Sequence, residues 1–364
     1  MWKSLRLFVV ALLAASLPLS GCGGGGGGGS SAPPPCSAAT RTCFVSVSGN
    51  DSNSGADPGD ALRTITRAAQ LAQDDYTIIV LPGTYQENVS ANRIGNVAQA
   101  LTFRSQTPQD VVVVDARGNP GAGFNLSSTE GTVIDGFTII GASDAGVVLK
   151  SGSNNSIVQN CIVHDNPGDG IRIQDTANAL VFNNIVYNNG ARGVAIVGTG
   201  SGSKNANVIN NTIFGHGDRG ITIGTTQADS RGAFLRNNIV QLNAQLPNID
   251  ANIRVYTPPP STVPNSFLNY NGNFDLVFAP STYAPAEAQG ANDIAADASF
   301  VRTATADFHL RANSPAIDAG DPLTNCGNRV ISCATLRDTL HMRTTSSSGA
   351  LDTGNLDLGY HYAP

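Results

Sequence analysis

A short motif recurs along the middle of this chain and most constrains its fold. The clearest copies are residues 160–173, 183–196 and 210–223, each of which begins with Asn and ends in Gly, a β-branched residue, any residue and Ile. Weaker copies begin at 136 and 237, so successive copies lie 24, 23, 27 and 27 residues apart. A period of this length without a helical pattern is typical of a solenoid in which each repeat forms one turn.

Each copy contains three short apolar runs separated by Asn and Gly clusters that are typical of turns, as in 180–182, 185–186 and 194–196. Three strands per turn predict an all-β protein, a single-stranded parallel β-helix. Because side chains alternate across a strand, stacking the copies predicts three inward columns: Ile171 and Ile173 with Val194, Ile196, Ile221 and Ile223; Val158, Val181, Val208 and Leu235; Val163, Val186, Ile213 and Val240.

A polar column accompanies the apolar ones. Cys161, Asn184, Asn211 and Asn238 occupy equivalent positions and are predicted to point inward. Stacked Asn amides can bond to one another, which satisfies polar groups that are costly to bury alone. We interpret the column as a structural ladder; ligand binding by these Asn residues is the alternative.

These motifs resemble the pectin-lyase-like superfamily of right-handed parallel β-helices over about residues 43–257. The superfamily includes pectate lyases and polygalacturonases, so the resemblance implies a right-handed coil with three strands per turn. It implies the fold and leaves the chemistry open.

The N-terminus combines a basic start, an apolar run at residues 7–17 and the sequence Leu-Ser-Gly-Cys ending at Cys22. The run is too short to span a membrane and is typical of a signal peptide. The final four residues resemble the bacterial lipobox, which implies removal of residues 1–21, acylation of Cys22 and a Gly/Ser/Pro tether over 22–42. The resemblance implies a lipoprotein of the cell envelope, at the outer membrane or cell surface, held to the membrane only by its acyl anchor. An ordinary signal peptide is the alternative.

The net charge indicates which partners the protein can bind, and the cysteine spacing indicates which disulfides it forms. A formal net charge of −6 without a basic stripe makes nucleic acid a poor partner, and we expect a monomer. Export from the reducing cytosol favours disulfides between the equally spaced pairs Cys36–Cys43 and Cys326–Cys333. A zinc site is the weaker interpretation, and Cys161 is expected to be a buried free thiol.

The regions that flank the repeats are interpreted as caps. Residues 60–73 have the apolar spacing of one amphipathic helix with Asp60 as N-cap, which would cover the first coil. The composition changes after residue 257, and residues 314–320 and 357–362 resemble the closing segment of bacterial surface β-helix proteins. We therefore divide the chain into a signal peptide, a tether, a capped β-helix and an irregular C-terminal cap: 1–21, 22–42, 43–257 and 258–364.

A loop before the predicted helix carries clustered oxygen ligands. Asp51, Asn53 and Asp57 alternate with small residues in the way that Ca²⁺ sites do. The loop lacks the closing glutamate of an EF-hand. Calcium binding is one interpretation and an Asx turn is the other.

Charged residues concentrate in the turn before the third strand of each repeat. Asp169, Arg192 and Arg219 occupy one column there, and strand spacing would place them about 4.8 Å apart from coil to coil. The column and its neighbours supply the candidate catalytic residues Arg192, Arg219, Asp169, Asp218 and His216 and the candidate substrate-binding residues Asp165, Arg172 and Tyr187.

Two reactions suit these residues. β-Elimination from a uronic acid needs a base and cations that stabilise the developing charge, and the family resemblance implies an arginine in the role of base. Hydrolysis by Asp169 and Asp218 is less favoured because two coils separate them. We expect an exported protein that binds or acts on polysaccharide. The most specific form of this hypothesis is a lyase that cleaves acidic polysaccharide. The alternatives are a salt-bridge ladder on a non-catalytic surface or adhesion protein, and a periplasmic accessory protein.

Overall fold

The repeats form a coil of short parallel strands, which confirms the predicted fold class. The computed structural model describes residues 36–92, 100–106, 112–199, 202–225, 230–243, 251–256, 271–273, 275–278, 283–284, 289–323 and 331–363. Each turn of the coil contributes one strand to each of three parallel sheets, here called sheets 1, 2 and 3 in chain order. Successive turns therefore stack strand on strand.

The strands are short, and most contain three or four residues. Sheet 1 contains Thr42–Val45, Thr77–Val80, Thr102–Ser105, Val133–Asp135, Ile157–Gln159, Leu180–Phe182, Asn207–Ile209, Phe234–Arg236 and Asn271–Asn273. Sheet 2 contains Gly83–Tyr85, Val112–Asp115, Thr138–Ile140, Ile162–His164, Ile185–Tyr187, Thr212–Phe214, Ile239–Gln241 and Leu276–Phe278. Sheet 3 contains Val89–Asn92, Phe124–Ser127, Ala145–Lys150, Asp169–Gln174, Val194–Val197, Ile221–Ile223, Ile253–Val255 and Tyr283–Ala284.

The predicted apolar columns fill the interior of the coil. All the residues assigned to the three inward columns are buried in one continuous core. In sheet 3, Ile171 pairs with Val194 and Val194 with Ile221, as the stacked repeats require. The intervening residues Arg172, Ala195 and Thr222 are also in register and therefore share the outer face of this sheet.

The predicted amide ladder runs through the interior at the bend between sheets 1 and 2. The side-chain oxygen of Asn184 accepts from the backbone N–H of Cys161 at 2.9 Å. Asn211 and Asn238 repeat the contact one turn further on, and each also accepts from the side-chain amide before it. The ladder ends on Asp275, whose Oδ1 accepts from both nitrogens of Asn238. These bonds satisfy polar groups that are removed from water.

A second buried ladder lies at the bend between sheets 2 and 3. It consists of Asn166, Asn189, His216, Asn243 and Asn252, each bonded to the backbone N–H of the residue before it in the column. The first three positions belong to the turn before the third strand of the repeat, and the burial of His216 among them corrects its prediction as a catalytic residue. Their equal spacing in the repeat was the available signal.

The glycine of the repeated motif makes room for this second ladder. A Cβ on Gly193 would lie 2.7 Å from both the carbonyl oxygen of Gly220 and Nε2 of His216. No side chain fits between these groups, so the position requires glycine.

The N-terminal helix covers the first coil as predicted but is shorter. It spans Ile65–Leu71, and its N-cap is Thr64, whose hydroxyl accepts from the N–H of Arg67. Asp60, the predicted N-cap, instead ends a 3-10 helix at Pro58–Asp60 and binds Ser54. The apolar residues of this segment join the main core: Leu62, Ile65, Ala68, Ala69 and Ala72.

The coil continues past residue 257, where the sequence predicted its end. The strands Asn271–Asn273, Leu276–Phe278 and Tyr283–Ala284 add a further turn in parallel register. The ladder residue of this turn follows its predecessor by 37 residues instead of 27. The longer spacing removed the repeat signal from the sequence.

The rest of the C-terminal region lies along the outer faces of two sheets, whereas an end cap was predicted. Its helix, Cys333–His341, places Leu336 and Leu340 on apolar residues of sheet 1. Its hairpin, Phe300–Arg302 with Asp307–Leu310, packs with Tyr360 on sheet 2. Neither apolar cluster contains a residue of sheet 3. The outer face of sheet 3 therefore has no apolar cover from the described part of this region.

The cysteines agree with the predictions wherever the structure describes them. Cys36 and Cys43 form a disulfide, and Cys161 is a buried free thiol. Cys333 is also disulfide-bonded, and its predicted partner Cys326 lies outside the described residues. Burial raises the pKa of Cys161 to about 12, so this thiol is unreactive. Cys22 and the whole of residues 1–35 also lie outside the described part. No described helix is long and apolar enough to cross a membrane.

The end of the first ladder generates a stability prediction. Burial and the charge of Asp293 raise the pKa of Asp275 well above its ordinary value. Its Oδ2 is buried and has no hydrogen-bond partner among the described residues. A carboxyl with a raised folded-state pKa contributes stability at low pH and loses it as pH rises through that pKa. We expect Asp275→Asn to remove this loss, and urea unfolding at pH 5 and pH 9 measures it. Equal pH dependence in both proteins would contradict the assignment.

Candidate functional site

The turns between sheets 2 and 3 bring the predicted charged column together. Asp169 begins its strand, and Arg192 and Arg219 each lie two residues before the first paired residue of the next strands of sheet 3. Because the strands stack in register, the three side chains lie on successive turns at the same edge of the sheet. The grouping predicted from the sequence is therefore present for these three residues.

Asp169 is the buried centre of an ion-pair network. Its side chain is 1% exposed, and its carboxylate accepts two bonds from Arg192, each 2.8 Å long. Arg172 donates from Nε to the same carboxylate at 2.7 Å and from Nη1 to Asp144 at 2.8 Å. Burial opposes ionisation of Asp169, but the bonds and charges of the two arginines outweigh it and lower its pKa. Asp169 is therefore an ionised structural anion that fixes both guanidinium groups.

A cavity of about 180 Å³ opens beside this network on the outer face of sheet 3. Arg192, Asp218 and Arg219 line it together with Thr222, Gly224, Thr225 and Tyr256. Arg219 donates to Asp218 at 2.9 Å, and both side chains are partly exposed. Four of the five predicted catalytic residues thus belong to one site, with Asp169 beneath Arg192.

The sequence analysis did not identify Thr222, Tyr256 and Arg254 as site residues. Thr222 is 1% exposed, and its hydroxyl has no hydrogen-bond partner among the described residues. The ring of Tyr256 lies 5.8 Å from Cζ of Arg219 and 4.9 Å from Cζ of Arg254. Arg254 is in register with Thr222 on the next strand. The long insertions around the strand Ile253–Val255 hid the repeat at Arg254 and Tyr256, whereas Thr222 lies in the clear copy 210–223, where its outward position was the available signal.

His216 is not a site residue, which corrects the sequence prediction. It is fully buried in the second ladder, where Nδ1 accepts from the N–H of Asn189 at 3.1 Å. Nε2 therefore carries the proton and binds the carbonyl oxygen of Val186 at 3.1 Å. Burial lowers the pKa of His216 to about 4. The ring is a neutral replacement for an asparagine.

Two of the three predicted substrate-binding residues lie away from the arginine cavity. Asp165 is largely exposed and binds His164 at 2.8 Å. Tyr187 stacks on His164 and packs against Phe308 of the C-terminal hairpin. Tyr187 ends a strand of sheet 2 on the face that the hairpin covers, and Asp165 follows the strand before it. Arg172 does lie on the outer face of sheet 3, within the ion-pair network.

The predicted calcium ligands have protein partners. The Asp51 carboxylate accepts from the backbone of Arg63 and Thr64, and Asp57 caps the 3-10 helix. Asn53 donates to a backbone carbonyl. Of these bonds, the one from the N–H of Gly59 to Asp57 is that of an Asx turn, the others tie the loop to residues 61–64, and Ca²⁺ binding here stays a prediction.

A different acidic cluster joins the C-terminal segments. Oxygen atoms of Asp318, Asp352 and Asp357 lie within 4.8 Å of one another. Asp352 binds Nε2 of buried His361, and Asp357 accepts from the hydroxyl of Thr345 and the N–H of Asp318. These bonds give the cluster a structural role in holding the C-terminal segments together.

Comparisons with known proteins agree with the right-handed β-helix. A family model described as Pel9A-like, right handed beta helix region, matches residues 43–200, which is less than half of the chain. No curated protein matches. Similar solved structures include pectate lyase Pel9A (14% identity, 78% of this chain and 92% of that chain, TM-score 0.49) and alginate lyase from Paenibacillus sp. str. FPU-7 (16%, 59% and 73%, 0.44). A rhamnogalacturonan lyase is similar at 14% identity, over 81% and 98% of the chains, with a TM-score of 0.44. At these identities the likenesses concern the fold alone.

The buried network predicts a large cost for removing its anion. We expect Asp169→Ala to lower the free energy of unfolding by about 3 kcal/mol, because two partly buried cations lose their shared partner. Asp218→Ala removes a more exposed pair and should cost less than about 1 kcal/mol. Urea unfolding at pH 7 compares the two variants.

The lowered pKa of Asp169 also gives this difference a pH dependence. Its contribution is present above the ordinary carboxyl pKa and is lost as pH falls through the lowered value. The two variants should therefore converge in acid. Similar costs for both variants at pH 7 would contradict the central position of Asp169.

The structural role of His216 predicts that asparagine can replace it. His216→Asn supplies the same acceptor to Asn189, so stability at pH 7 should change by no more than about 1 kcal/mol. A histidine with a lowered folded-state pKa loses stability as pH falls from about 6.5 to that pKa. The variant should lack this loss, which unfolding at pH 7 and pH 4.5 measures. Loss of ligand binding in a folded His216→Asn protein would show that the ring belongs to the site.

Proposed function

We propose that the outer face of sheet 3 binds an acidic polysaccharide and that Arg192 and Arg219 hold a uronate carboxylate. The observation that carries the proposal is the position of these two guanidinium groups at one open cavity, on the sheet face that the described C-terminal clusters leave uncovered. Arginine binds carboxylates through paired N–H donors, and a buried anion that fixes the side chain reduces the entropy lost on binding.

Local charge supports an anionic ligand. The site holds Arg172, Arg192, Arg219 and Arg254 against Asp144, Asp169 and Asp218, whereas the whole chain has a net charge of −6. At this face the arginines outnumber the aspartates by four to three, although the chain as a whole is acidic. A positive site on an acidic protein selects anions by position, since negatively charged surfaces elsewhere repel them.

The shape of the cavity supports recognition of one unit of a longer chain. About 180 Å³ is below the range of roughly 300–1,000 Å³ of pockets that enclose a whole small molecule. Ala195, in register between Arg172 and Thr222, is fully buried, so larger side chains around it form the surface beside the cavity. A polymer can lie across this surface while one sugar enters the cavity. The matching family model is described as Pel9A-like, and Pel9A is a pectate lyase. The name of that enzyme indicates a polysaccharide ligand.

Cleavage by β-elimination is the second candidate function. Arg192 is fixed in position by two bonds to Asp169 and would stabilise the charge that develops on the uronate. Arg219 lines the same cavity and is the candidate base: in its neutral form it would take the proton next to the carboxylate while the C–O bond to the leaving sugar breaks and water protonates that oxygen, and Arg192 would then hold the carboxylate. Hydrolysis is disfavoured, because the lowered pKa of Asp169 keeps it ionised and the arginines occupy its oxygens, so it cannot donate a proton.

Calorimetric titration with uronate oligosaccharides tests the binding proposal. Oligomers of galacturonate, of mannuronate and guluronate, and of glycosaminoglycan units serve as probes at low and high salt. We expect one class to bind, with weaker binding at high salt because salt screens charges. Arg219→Ala should weaken this binding by about 10- to 100-fold, the effect of losing a hydrogen bond to a charged group.

Arg104→Ala is the matched control, since Arg104 is a largely exposed arginine of sheet 1. It should leave binding unchanged. Ultraviolet absorbance of unsaturated sugar ends, followed in the same mixtures, tests cleavage separately. Failure of all acidic oligomers to bind, or equal losses in the two variants, would overturn the binding proposal.

A further inference from the structure

A second cleft lies on the other side of the coil, between sheet 2 and the C-terminal hairpin. Its volume is about 410 Å³, which lies within the range of about 300–1,000 Å³ that is typical of small-molecule sites. Ile162 and Ile185 of sheet 2 contribute apolar surface, and His164, Tyr187, His309 and Tyr362 contribute rings. The function proposed above does not use this cleft.

The two histidines of the cleft have the same arrangement. Nδ1 of His164 bonds to Asp165 at 2.8 Å, and Nδ1 of His309 bonds to Asp307 at 2.6 Å. A carboxylate partner places the proton on Nδ1, so Nε2 of the neutral ring is an acceptor. Neither Nε2 has a hydrogen-bond partner among the described residues. Each ring therefore keeps one acceptor for a ligand.

Stacking holds these rings in place. His164 stacks on Tyr187 with ring centres 4.5 Å apart, and His309 stacks on Tyr362 at 3.7 Å. Burial, with a further contribution from the charge of Asp165, raises the pKa of Tyr187 to about 12, so its hydroxyl stays a donor. Fixed aromatic rings provide contact area at low entropic cost.

The charges at the cleft are opposite to those at the arginine cavity. Asp307 lines the cleft and Asp165 borders it through His164, and no arginine or lysine is among the described lining residues. Carboxylates at this site repel an acidic sugar. A ligand with an apolar face and hydroxyl groups at its edge satisfies the aliphatic surface, the rings and both acceptors.

We propose that this cleft is a second carbohydrate site and that it binds a neutral sugar unit, independently of the acidic chain on sheet 3. A pyranose has the required chemistry: its C–H face packs on the aliphatic and aromatic surface, and its hydroxyls donate to Nε2 of His164 and His309. Two sites on one coil, one for a neutral and one for an acidic sugar, would hold a polymer that contains both kinds of unit, or two different polymers.

Titration of the full chain with neutral hexasaccharides of glucose, galactose, mannose and xylose tests the proposal. We expect at least one hexasaccharide to bind with a Kd of about 1 mM. His164→Phe and His309→Phe keep a ring in the stack and remove the acceptor, and each should weaken binding about tenfold. His341→Phe, at the end of the C-terminal helix, is the matched control and should bind normally.

The two sites are distinguished within the same experiment. Arg219→Ala should leave neutral-sugar binding intact, and the two cleft variants should leave acidic-sugar binding intact. Thermal unfolding checks that each variant is folded. If a cleft variant does not fold, Thr305→Trp replaces it, because a tryptophan at this exposed hairpin position fills the cleft. The proposal is overturned if no neutral hexasaccharide binds more tightly than about 10 mM. Binding that survives the cleft variants, or that depends on Arg219, also overturns it.

Discussion

Two columns of buried side chains, bonded to the backbone at the bends of the coil, hold the rest of the structure in register. The bends would otherwise bury backbone N–H groups without partners, and each such group costs about 1–3 kcal/mol. Asn184, Asn211 and Asn238 supply acceptors at one bend, and the column that includes Asn189 and His216 supplies them at the other. Because the turns that carry these ladders place an acceptor at the same two points, their strands stack without slipping.

The register of the strands brings charged side chains together on the surface. Asp169, Arg192 and Arg219 are distant in sequence but lie on successive turns because the second ladder fixes the turn that carries them. The C-terminal region then selects which face remains open, since its apolar clusters lie on sheets 1 and 2. The strand register and the faces that the C-terminal region covers together explain the positions of the two sites. The cationic cavity lies on sheet 3, and the cleft lined by histidine and tyrosine lies beside the hairpin.

The sequence predicted the coil well because its strongest constraints are periodic. Burial alternates with each residue of a strand and repeats with each turn, so the columns through Ile171, Val181 and Val186 follow from stacking the copies. The role of His216 did not follow, because a histidine in a turn is typical of a catalytic group and only its bonds identify it as a ladder residue. Tyr256 and the last turn were hidden by insertions that lengthen the spacing to 37 residues. The lateral position of the C-terminal region depends on contacts between distant segments, which leave no periodic signal.

The central claim is that Arg192 and Arg219 bind a uronate carboxylate on the outer face of sheet 3. A crystal structure of the protein soaked with the uronate oligosaccharide that binds best tests it most directly. We predict density for a sugar carboxylate bonded to both guanidinium groups, with Asp169 still paired to Arg192. Density on sheet 1 or sheet 2, or a carboxylate that contacts neither arginine, would contradict it.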